Sequence, residues 1–250
     1  MDLKHENFKY LDNLIQNGEK EIVLDFDIIL DEDEVEPYLD GIKIGREVTI
    51  DGNGHFIDGK NKARIFNVIG ANVNLKNIVF RNGYSAGNGG AIINKWVLNI
   101  SNCEFSGCIA DGMYGGGAIF NWGGFLIIDD CRFSHNLAFG DFGGAGAISN
   151  DGKSIIMDSC FLENKSIGDY GGGAIISRKV IKIVRSKFLA DHAEYMGGAV
   201  RNDGGEMDIS QCEFSDNTAS RGGAIYSNNS AVVLEMCRFG NNRPDNVCEK

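Results

Sequence analysis

Residues 146–188 read GAISNDGKSIIMDSCFLENKSIGDYGGGAIISRKVIKIVRSKF and hold one motif twice. Gly146-Ala147-Ile148 returns as Gly173-Ala174-Ile175, Ile156 as Ile183 and Phe161 as Phe188, all at one spacing. Outward from this pair the motif continues in both directions. The alanine recurs at Ala91, Ala118, Ala147, Ala174, Ala199 and Ala224, a period of roughly 25–29 residues, and such a period marks a repeat architecture. The phenylalanine recurs at Phe80, Phe105, Phe133, Phe161, Phe188, Phe214 and Phe239.

Alignment on that phenylalanine exposes columns. Five residues before it stand Leu75, Ile100, Ile128, Ile156, Ile183, Ile209 and Leu234. Seven before it stand Val73, Leu98, Leu126, Ser154, Ile181, Met207 and Val232, and two before it Ile78, Cys103, Cys131, Ser159, Ser186, Cys212 and Cys237. The first two columns alternate as a strand requires, while the odd spacing to the third demands a corner. Short strands and corners with one position apolar in every repeat describe coils stacked about 4.8 Å apart. An α-solenoid fails because a Gly-Gly pair in each repeat weakens its helices, and a propeller blade needs about 40 residues or more. The fold expected is an all-β right-handed parallel β-helix of about eight or nine coils, its hand taken from the general rule for parallel crossovers. The glycines suit corners of positive φ or tight packing between coils.

The chain divides into a capping segment, residues 1–20, and a single β-helix, residues 21–250, with regular repeats from about residue 73. Phe8, Leu11, Leu14 and Ile15 sit at helical spacing and predict an amphipathic helix over residues 4–17 that covers the open end of the solenoid. Residues 21–30, EIVLDFDIIL, read as one strand. Residues 241–250 show no comparable cap.

Composition narrows the function. The net charge of −11 argues against nucleic-acid binding, because an acidic surface repels phosphate backbones, and it disfavours polyanionic polysaccharides unless bound cations or a local basic patch intervene. The outward columns carry mixed signs with no Lys/Arg cluster. No apolar run is long enough to insert in a membrane as a helix. Seven cysteines cannot all pair among themselves, and none shows zinc-site spacing. The N-terminal stretch has no apolar leader, so the chain as it stands reads as cytoplasmic. The sequence leaves the oligomeric state open.

The paired landmarks are Gly-Gly-Ala-Ile and Phe-x-x-Asn, the latter at Phe133…Asn136, Phe161…Asn164, Phe214…Asn217 and Phe239…Asn242. Asp191 replaces the asparagine after Phe188, and Cys108 replaces it after Phe105. Over nearly its whole length the chain resembles the repeats of polymorphic outer-membrane proteins and the adhesin-like β-helix proteins of methanogenic archaea. The stretch VTIDGNGH at residues 48–55, continuing to Phe80-Arg81-Asn82-Gly83, is similar to the archaeal group. The resemblance implies display at a cell surface or secretion as part of a longer parent, and adhesion to a glycan or a cell-surface protein. The wider fold is shared with pectate lyases and polygalacturonases, but fold does not imply function, so a polysaccharide lyase or glycoside hydrolase stands as the alternative and a structural spacer or fragment as the second.

Two columns carry candidate chemistry. Three residues before the phenylalanine stand Asn77, Asn102, Asp130, Asp158, Arg185, Gln211 and Met236. Asp130 and Asp158 on adjacent coils would lie about 5 Å apart, near the separation used by retaining glycosidases, and suited also to sharing a calcium ion. The plainer reading is a polar ladder, since Asn and Asp tolerate left-handed corners. The second column precedes the double glycine: Tyr114, Phe142, Tyr170 and Tyr195, with Asp111, Asp141 and Asp169 beside them. Aromatic faces next to carboxylates suit sugar rings and their hydroxyls, whereas the plainer reading has the rings only sealing their loops. His5, His55, His135 and His192 share no column. Cys160 falls in an outward column and is expected to be the most exposed mid-chain thiol. No other cofactor is indicated.

Overall fold

The computed structural model describes residues 5–140, 144–230 and 232–250. The chain is an all-β parallel β-solenoid of about nine turns. One coil shows the plan. Ile148–Asn150 belongs to an alanine sheet, Lys153–Met157 to an isoleucine sheet and Cys160–Leu162 to a phenylalanine sheet, and Lys165–Ser166 closes the turn. Among the described residues these four stacks hold nine, nine, ten and five strands. Each strand pairs in parallel with its equivalents one coil before and after, as Ile156 does with Ile128 and Ile183.

In-register stacking places like on like inside. Leu75, Ile100, Ile128, Ile156, Ile183 and Ile209 form one buried ladder. Phe80, Phe105, Phe133, Phe161, Phe188 and Phe214 form another, with ring centroids 4.6–4.9 Å apart and nearly parallel planes. The coil spacing fixes that ring separation, so the rings stack rather than meet edge to face. The small inward residues answer a third need, since Ala147, Ala174 and Ala199 are fully buried where the double glycine crosses the coil. Gly173 is required by close approach, because a Cβ there would collide with the carbonyl oxygen of Gly198. Gly197 is required by its φ of +68°. Truncating one rung tests the packing. Ile156→Ala is expected to lower the unfolding free energy by roughly 2–5 kcal/mol in a urea titration.

Two kinds of corner turn the coil. The column three before each phenylalanine is left-handed throughout, with φ of 49–56° from Asn77 to Met236. The position two after it is left-handed as well, at Asn82, His135, Glu163, Ala190, Asp216 and Asn241. This second bend turns the following asparagine inward. Asn136, Asn164, Asn217 and Asn242 each donate from Nδ2 to the phenylalanine carbonyl one coil back, at 3.0 Å. Each Oδ1 accepts the main-chain N–H of the preceding rung, at 2.9–3.2 Å. A parallel ladder runs at the other end of the alanine sheet, where Asn94 donates to Asn121 and Asn121 to Asn150.

Asp191 interrupts the first ladder. Its Oδ1 fills the acceptor role toward Asn164, but Oδ2 sits buried with no partner, where the other rungs carry a donor. Burial, with a smaller push from Glu163, raises this carboxyl from 3.8 to about 8, against the hydrogen bonds from Asn164. Between those two values the folded chain holds a proton that the unfolded chain releases. Stability therefore falls as pH rises through that window and levels off above it. Asp191→Asn restores the donor. It is expected to flatten this slope and to add about 1–3 kcal/mol at pH 8, measured by urea unfolding at pH 5 and pH 8. A slope identical to the parent's would mean that the folded chain holds no extra proton at Asp191.

The N-terminal end departs from the expectation in detail. The helix spans Phe8–Gln16, capped by the Asn7 side chain, with Phe8, Leu11 and Ile15 buried against the first coils. His5–Glu6 is a strand paired with Asp27–Ile28, because the helix cannot extend back through its cap. Residues 21–30 are two strands, Glu21–Val23 and Asp27–Ile29, in different sheets. The inward residues Ile22, Leu24, Ile28 and Leu30 keep the period of a single strand, which hides the bend between them. At the other end, Val247–Glu249 adds a further strand to the alanine sheet.

Candidate functional site

The corner column lines a shallow groove of about 610 Å³, with Asn77, Asn102, Glu104, Asp130, Arg132 and Asp158 along it. Its upstream part is a polar ladder, in which Asn102 donates to Asn77 and Asn77 to Asp51, each at 2.8 Å. Asp158 is gripped by Arg185 through two hydrogen bonds, one of 2.7 Å from Nε to Oδ1. That guanidinium holds the Asp158 carboxyl below its usual range, outweighing a small opposing effect of burial. A carboxylate held in this way is a poor proton donor at neutral pH and offers little to a cation. Asp130 is exposed beside it, and among the described residues no three His, Cys, Asp or Glu gather as a metal site. His55 pairs with Asp27, His135 with Glu163 and His192 with Thr218, on separate parts of the surface. Cys160 is half-buried, and burial pushes its thiol up, which disfavours the reactive thiolate. Because the Asp158–Arg185 pair is exposed, Asp158→Asn is expected to change stability by less than about 1 kcal/mol in a urea titration.

A more organised arrangement covers the outer face of the alanine sheet. Strand alternation points Ile93, Phe120, Ser149, Ile176, Arg201 and Tyr226 away from the solenoid interior, yet all are buried. The loops leading into the double glycines fold back over them. Tyr114, Tyr170 and Tyr195 lie on these loops and are 41–46% exposed, with Asp111 and Asp169 also exposed. Asp141 and Phe142 lie outside the described residues.

Beneath the tyrosines runs a line of charges. Arg178 Nη1 donates to Asp151 at 3.0 Å, and its Nε lies 3.9 Å from Asp203. Arg201, only 2% exposed, donates to Asp203 at 2.8 Å and to the Met196 sulfur at 3.4 Å. Its Nε is buried without a partner. Burial alone would raise the Asp203 carboxyl. Hydrogen bonds from Arg201 and Asn228, together with the two nearby guanidinium charges, hold it low instead. The Arg178 guanidinium stands 5.2 Å from the Tyr114 ring centre, and that of Arg201 5.3 Å from Tyr170 and 5.6 Å from Tyr226. Guanidinium groups under aromatic faces orient the rings and give them a fixed base.

Alignment on phenylalanine missed this network. Four residues past the repeat's alanine the column reads Lys95, Trp122, Asp151, Arg178, Asp203 and Asn228. Alignment on alanine would have displayed that alternation of sign. It would not have shown that Tyr114 reaches Arg178, two coils along the stack.

The repeat of the Chlamydia polymorphic membrane protein matches residues 211–228. In the solenoid this stretch runs from the left-handed corner at Gln211 through Phe214 and Asn217 to the end of the strand Ile225–Asn228. The match therefore covers 18 residues, part of one repeat, with both landmarks inside it. No curated protein and no solved structure matches the chain. Among the described residues no helix is long and apolar enough to cross a membrane.

Proposed function

We propose that the chain is an adhesin-like recognition module that binds a glycan or a protein at a cell surface through the loop-covered face of the alanine sheet. The observation that carries this reading is the row of exposed rings at Tyr114, Tyr170 and Tyr195 above the Arg178–Asp203–Arg201 network. Rigid aromatic groups with a polar tip contribute contact area at low entropic cost, and arginine beneath them resists collapse of the loop. The repeat match at residues 211–228 supports the surface setting, since it is to the repeat of a polymorphic membrane protein. No catalytic step is assigned. Asp158, one of two carboxylates suited to glycoside chemistry, is committed to Arg185.

The test is a paired screen of the purified chain on a glycan array and on intact cells, with and without calcium. The triple variant Tyr114→Ala, Tyr170→Ala, Tyr195→Ala is expected to lose at least tenfold in affinity while its thermal unfolding stays close to that of the parent. Full binding by the triple variant would move the ligand face elsewhere. Turnover of a bound glycan would replace recognition with catalysis.

A further inference from the structure

The chain has only two tryptophans, and the fold brings both to one corner. Trp96 and Trp122 lie on adjacent coils where the alanine sheet turns into the isoleucine sheet, and they are 54% and 56% exposed. A single exposed ring needs no explanation, but two on adjacent coils at one corner form an apolar patch, the feature that marks interaction sites. Trp122 is braced on the protein side. Its ring lies 6.3 Å from buried Phe120 at an interplanar angle of 25°, and Lys95 Nζ stands 5.2 Å from its centre. The Phe125 N–H donates to the Trp96 carbonyl at 2.6 Å, which ties the two coils together at this corner.

A groove of about 270 Å³ begins at Gly123, next to Trp122 in the chain, with Gly124 and Gly152 on its floor and Phe125, Asp151, Lys153, Lys179 and Val180 around it. Gly152 keeps the floor bare, because a Cβ there would strike the main chain at Gly124. Charge sets this corner apart. The chain carries −11 overall, yet Lys153 and Lys179 line this groove and Lys95 stands over Trp122, and none of the three has an ion-pair partner among the described residues. Asp151, which lines the same groove, is engaged by Arg178. On the coil beyond Lys179, Asp203 is engaged by Arg201, while Glu206 and Asp208 line a separate groove that Lys153 borders. The sequence reading found no basic cluster because these lysines come from different columns, and only the corner brings the columns together.

We propose that this corner is a binding site for an anionic polysaccharide of the hexuronate type, separate from the tyrosine face. Indole faces pack against the C–H faces of pyranose rings, and the lysines receive the carboxylates. The coil spacing of about 4.8 Å is close to the length of one pyranose residue in an extended chain. A polymer running along the solenoid axis therefore advances about one sugar per coil. It meets Trp96 and Trp122 on two coils, then Lys153 and Lys179 on the next two. A neutral chain would gain the stacking without the charge pairing.

Because both tryptophans lie in the site, indole emission reports on it alone. The experiment titrates the full chain with hexamannuronate and, in parallel, with mannohexaose, its uncharged counterpart, following emission and binding heat together. The expected result is a saturable emission change with the uronate, weakened as salt rises and at least tenfold weaker for mannohexaose. In Lys153→Glu, Lys179→Glu, both exposed positions, the affinity is expected to fall at least tenfold. The tyrosine triple variant should keep both signal and affinity, so failure of the tyrosine face and failure of this corner are distinguishable. An equal response to both sugars, or full affinity in the lysine variant, would overturn the anionic assignment. Silence in emission and heat would overturn the site, and loss of binding in the tyrosine variant would overturn its independence.

Discussion

Parallel hydrogen bonding between successive coils holds each strand one sheet spacing from its equivalents, and every other feature of the molecule answers to that distance. Residues at one repeat position touch mainly their own kind. A position is therefore apolar in every coil or costly in all of them, as the isoleucine ladder and the phenylalanine stack show. The same spacing lets a side-chain amide both receive from one coil and give to another, which is why asparagine fills the inner corners. It also explains why Asp191 stands out. A carboxylate matches the acceptor half of that pattern and can supply the donor half only by holding a proton.

The outer surface obeys the spacing in a different way. Corners of positive φ turn Asn, Asp, Arg, Gln and Met outward at one height per coil, with no demand on their chemistry beyond tolerance of a left-handed backbone. Those columns are free to diverge, and they do. Loops of unequal length then fold over the alanine sheet and bury what alternation alone would expose. Arg201 and Tyr226 are hidden this way, and the tyrosines above them become the visible surface. Both candidate recognition faces arise where residues at different repeat positions are brought together, rather than along a single column.

The interior was legible residue by residue before any coordinates, because burial in a solenoid is decided by neighbours that the sequence displays at a fixed period. Phe161 and Ile156 could be assigned to the core from their equivalents alone. The segment at residues 21–30 was misread for a related reason, since its inward positions keep strand alternation through a bend. The polar partners were less legible. Asp130 and Asp158 look like a pair in their column, but Arg185 in the same column takes up one of them.

What the sequence determined by itself is the stack: its parallel coils, its apolar ladders, its glycine crossings and its asparagine corners, all consequences of contacts between equivalent positions. What only the tertiary structure decided is which inequivalent positions meet. Tyr114 over Arg178, Tyr170 over Arg201, and Lys95 over Trp122 depend on how far each loop folds back and where each corner turns. Those distances follow from packing across coils, and no period in the sequence encodes them.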